Sequence, residues 1–155
     1  MNIQDFKASL SAETIEAVKA VAAKSQDITT EDKDIFTNYI KQSSEALGED
    51  QIAEPIRYIV ASMGGLRSED LQHLIGEEFN AEVFEEWNKM LETPVLTYRD
   101  LPGDNHLYDV APKMRELLRE EMGESNFKSC ASDIGYYLYQ HKQAGDIIRD
   151  TQTMH

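Results

Sequence analysis

The chain is poor in cysteine, in bases and in long apolar runs, and each shortage excludes something. One cysteine among 155 residues, Cys130, cannot form an intramolecular disulfide, which fits a reducing compartment. Fifteen Lys and Arg stand against 29 Asp and Glu, a formal charge of −14. The deficit of bases runs throughout: residues 1–50 hold ten acids and five bases, residues 51–100 ten and four, and residues 101–155 nine and six. With no basic patch, direct binding to nucleic-acid phosphates is disfavoured, as is an acidic membrane surface. No window approaches the roughly 18 apolar residues that a bilayer span requires. The opening MNIQDFKASL has no basic start followed by an apolar run, so a secretory signal is not expected. These features together lead us to expect a cytoplasmic protein.

Reaction motifs are missing as well. The chain contains no G-x-S-x-G elbow, no H-E-x-x-H, no phosphate-binding Gly-rich loop and no dinucleotide fingerprint. No catalytic residue, metal ligand set or cofactor is therefore expected.

An ordinary globular composition is present, with 41% apolar and 28% charged residues and enough aromatic side chains for a core. The apolar spacing is helical almost everywhere. Leu10, Ile15, Val18 and Val21 form one stripe capped by Ser11, with Leu10 and Ile15 placed as a hydrophobic staple. Ile35, Phe36, Tyr39, Ile40 and Leu47 form a second, between a Thr29 or Thr30 cap and the stop at Gly48. Pro55 suits the first helical position of a segment ending at Gly64–Gly65. Ser68 caps a short helix closed by Gly76, and Asn80 caps one containing Phe84 and Trp87 with a Phe79–Phe84 staple. Pro112 opens a helix to Gly123, and Ser125 caps the last, running to His141. The fold class expected is all-α: a single-domain irregular bundle of about seven short helices over residues 1–149, with a frayed tail at 150–155. Residues 94–109 read as the only long loop, in which Leu96 and Tyr98 suit a brief extended stretch.

Charge supplies the functional content. Glu69, Asp70, Glu77, Glu78, Glu82, Glu85, Glu86 and Glu92 face a single base, Lys89, so residues 69–92 carry −7, half the net charge of the chain. Like charges one turn apart cost about 0.2–0.5 kcal/mol per pair, so a helix that accumulates them invites a purpose. The expected role is docking of a basic protein partner, such as a nuclease or other nucleic-acid-binding protein. In class this resembles immunity proteins, antitoxins and phage-encoded inhibitors. The loop adds Tyr98, Asp100, Asp104 and Tyr108 to the expected partner-binding set. The alternatives are a self-associating adaptor, which leaves a homodimer open, and a small helical enzyme or metal protein centred on residues 98–109. Asp100, Asp104, His106 and Asp109 have the chemistry of metal ligands but match neither a calcium loop nor a zinc set. Cys130 with His106 or His141 is a weaker thiol–imidazole candidate, since Cys130 lies on the inward stripe. His73, with Glu69 and Glu77 four residues on either side, is a weak ligand pair, and Tyr136 and Tyr139 fall off the core stripe.

Overall fold

A computed structural model describes residues 2–24, 27–62, 64–90, 96–102, 105–110 and 112–141. The tail expected at 150–155 lies outside these residues. Among those described are seven helices: α1 (Ile3–Ser9), α2 (Ala12–Ala23), α3 (Thr30–Leu47), α4 (Ala53–Ala61), α5 (Ser68–Ile75), α6 (Ala81–Lys89) and α7 (Pro112–His141). Three strands join them: β1 (Leu66–Arg67), β2 (Leu96–Leu101) and β3 (Asn105–Val110). The protein is therefore mostly helical but not all-α. Residues read as a loop form an antiparallel hairpin, with Leu96 opposite Val110 and Leu101 opposite Asn105. β1 adds to its other side, giving the order β1–β3–β2. Among the described residues no helix is long and apolar enough to cross a membrane.

Local chemistry explains the boundaries. Ser11 accepts a hydrogen bond from the Thr14 N–H at 3.1 Å, and Thr29 accepts from Asp32 while Asp32 accepts from Thr29, a reciprocal box. Lys24 donates to the same Asp32 carboxylate at 2.5 Å and, with the Thr29 N–H, holds that carboxyl below its ordinary range. α1 was not anticipated; Asn2 caps it by accepting from the Asp5 N–H, and Phe6 is its buried anchor. Pro55 falls third in α4 rather than first, still within the turn whose N–H groups need no helical partner. Ser68 is the first residue of α5, not its cap. Its hydroxyl instead accepts from the His106 N–H at 3.2 Å, while the Arg67 N–H donates to Asp70. Gly123 takes a φ of 79°, which breaks α7 where a stop was expected, although helix resumes directly.

The core is an aromatic column. Tyr39 stacks on Trp87 at 5.8 Å, Trp87 on Phe84 at 6.2 Å, and Phe84 meets Tyr108 edge-on at 5.5 Å. The Trp87 indole N–H donates to the Ser43 hydroxyl at 2.9 Å, so the column's one indole donor is satisfied inside the protein. Two side chains bolt the hairpin to the helices. Asn88 accepts from the Leu96 N–H and donates to the Leu96 carbonyl, both at 2.9 Å. Arg115 donates to the carbonyls of Val60 and Ser62 at 2.6 and 2.9 Å, satisfying the open end of α4, and pairs with Asp109 of β3. Gly65, at φ 91°, lets the chain enter β1: a Cβ there would lie 2.4 Å from the Tyr108 carbonyl oxygen.

Candidate functional site

The acids of residues 69–86 divide sharply by position. Asp70 is only 7% exposed. It closes the N-terminus of α5 and accepts a hydrogen bond from the Tyr137 hydroxyl of α7 at 2.7 Å. Burial and the neighbouring Asp70 carboxylate push that phenol above its ordinary range. Glu85 turns inward from α6: its carboxylate accepts from the Tyr108 hydroxyl at 2.7 Å and pairs with His106 Nδ1. His106 Nε2 lies 3.1 Å from Asp100, so the imidazole of β3 is held between carboxylates of α6 and β2.

The outward set is smaller than expected. Glu77, Glu78, Glu82 and Glu86 are exposed and make no ion pair among the described residues. Glu69 is exposed too but meets Arg67 at 3.2 Å. Glu82 and Glu86 share one face of α6, four residues apart, and Glu77 and Glu78 occupy the α5–α6 turn that leads into it. This corner is fixed in place. Gln51, reaching from the turn before α4, donates to the Glu78 carbonyl and accepts from the Asn80 N–H at 2.8 Å. Phe79 is buried between the flanking acids and packs edge-on against Phe84 at 5.9 Å. Asn80 accepts from the N–H groups of Glu82 and Val83, closing the helix start beneath the carboxylates.

Two residues leave the expected docking surface. Asp70 is consumed as a structural acceptor, and Tyr108, at 1% exposure, belongs to the aromatic column. Glu85 is largely withdrawn as the acceptor for two side chains of β3. Asp100 is 86% exposed on the side chain but serves His106. Tyr98 pairs through its backbone with Tyr108; its side chain lies outside the described residues, as do Asp104 and Glu92.

The other chemical candidates separate. Among the described residues no group of three or more His, Cys, Asp and Glu gathers as a metal site. His106 meets Glu85, Asp100 and Tyr108, whereas the charged groups near Cys130 are Asp133, Arg57 and Glu54. Burial and the Asp133 carboxylate push that thiol up, the opposite of what an activated thiolate needs. His141's side chain lies outside the described residues. His73 stacks on Tyr137 with centroids 5.4 Å apart. Sequence reasoning missed the Glu85–His106–Tyr108 junction because its partners lie on separate elements. The alternation Leu96–Tyr98 and His106–Tyr108–Val110 on either side of Pro102–Gly103 was the available signal for the hairpin that assembles it.

No protein-family model matches the chain, and no significant similarity was found to a curated protein or to a solved structure.

Proposed function

We propose that the protein is a binding module that docks a basic partner through the corner formed by Glu77, Glu78, Glu82 and Glu86. One observation carries the reading: these four carboxylates are exposed, make no ion pair among the described residues, and stand on a folded surface held by Gln51, Phe79 and Asn80. A fixed group of like charges produces a directed field, which speeds encounter with a cation-rich surface and loses reach as salt rises. The partner class is a cationic protein of the kind that itself contacts nucleic acid, and the role is inhibition or regulation within the cytoplasm. Charge reversal at all four positions, written E77K, E78K, E82K and E86K, tests it. Immobilised wild-type protein incubated with the native-host lysate at low salt retains a basic protein that elevated salt releases. The reversed variant associates with that protein at least roughly 10-fold more slowly. Equal retention by both forms would refute the proposal.

A second reading, self-association as an adaptor, draws on a different feature. Tyr136, Leu138 and Tyr139 are exposed near the end of α7. Size-exclusion chromatography separates the two: an apolar self-assembly keeps its size as salt rises, whereas the charged docking complex dissociates.

A further inference from the structure

A groove of about 480 Å³ lies between α3, α4 and α7, elements that contribute nothing to the acidic corner. That volume falls in the range of roughly 300–1,000 Å³ typical of small-molecule sites. Ile40, Ala53, Ile56, Leu118 and Met122 supply an apolar lining drawn from all three helices. Ser44 lines the same groove. It is 7% exposed, and its hydroxyl has no hydrogen-bond partner among the described residues. The contrast with its neighbour is direct. Ser43 donates to the Tyr39 carbonyl one turn back and accepts from Trp87, whereas Ser44 makes no equivalent bond to its own preceding turn. A buried hydroxyl without a partner is unfavourable and rare, so this one calls for an explanation.

We propose that the groove binds a small uncharged amphiphile. An aliphatic or aromatic body rests on Ile40, Ile56, Leu118 and Met122, and a single hydroxyl, carbonyl or amide group meets Ser44. The charged side chains of the groove select against a charged head. Lys41 and Arg57 are opposed there by Glu45, Glu49 and Glu121, so an ion of either sign meets repulsion as well as attraction. It would also surrender hydration against an apolar lining. A neutral group loses far less, and it gives the Ser44 hydroxyl the bond it lacks. The proposal does not depend on the acidic corner.

Methyl-labelled protein (Ile, Leu and Met) titrated with 1-octanol and followed by NMR tests it, with octanoate and octylammonium as charged counterparts of equal chain length. Octanol is expected to shift the methyls of Ile40, Ile56, Leu118 and Met122 saturably, with both charged probes binding more weakly. The variant S44A should bind octanol roughly 2- to 10-fold less tightly, the range of one neutral hydrogen bond. Its thermal midpoint without probe should equal or exceed that of the wild type, because an unpartnered polar group has been removed. The proposal is overturned by shifts that do not saturate or that centre on other methyls, or by a charged probe binding as well as octanol. It is also overturned if S44A leaves octanol affinity unchanged, or if its midpoint falls, which would place the hydroxyl in an internal role.

Discussion

The two faces of α6 use one residue type in opposite ways. On the inner face Glu85 accepts from Tyr108 and pairs with His106, joining helix to hairpin. One residue further on, Glu86 turns roughly 100° around the helix axis and stands in solvent without an ion pair among the described residues, as does Glu82 a turn earlier. The lesson concerns charge counting. Eight acids against one base reads in sequence as a single patch. In three dimensions part of it is mortar, and only the remainder can speak to another molecule.

That contrast can be attacked from its inner side first. Tyr108→Ala removes the ring against Phe84 and the hydroxyl on Glu85. It is expected to cost roughly 3–5 kcal/mol in urea unfolding, the range for deleting a buried aromatic. Asn88→Ala leaves the buried Leu96 N–H and carbonyl without the partners that tie β2 to α6, at roughly 2–3 kcal/mol by the same measurement. Glu85→Lys sets an ammonium against His106 and deprives Tyr108 of its acceptor; about 2 kcal/mol is expected. Glu86→Lys, its neighbour, should stay within about 0.5 kcal/mol, with the sign towards stabilisation because the like charge of Glu82 is relieved. A result in which Glu85→Lys and Glu86→Lys cost the same would erase the distinction between the faces.

The helical part of the fold was legible because its signals are local. The Ser11, Thr29 and Asn80 caps, the Phe79–Phe84 staple and the stops at Gly48 and Gly76 each act within a few residues of the element they bound. α1 escaped because seven residues hold too few apolar positions to establish a period. The hairpin escaped for another reason. Arg99, Asp100, Asn105 and Asp109 dilute the alternation, and the strand partners that justify it include Leu66 and Arg67, some forty residues distant. For the candidate site, the acids themselves were readable and their division was not. Whether a glutamate beside Trp87 faces His106 or water depends on where the hairpin comes to rest, which no spacing within α6 encodes.

The pairing of Leu66 and Arg67 with residues 107 and 108 also sets an order of events. α2 and α3, adjacent in the chain, can associate early, since they need only a short connection to close. β1 cannot: its partner strand emerges from the ribosome only after α5 and α6. Until then the carbonyls of Val60 and Ser62 also wait for Arg115. A nascent chain halted before β3 therefore displays an unmatched strand edge and an open helix end together.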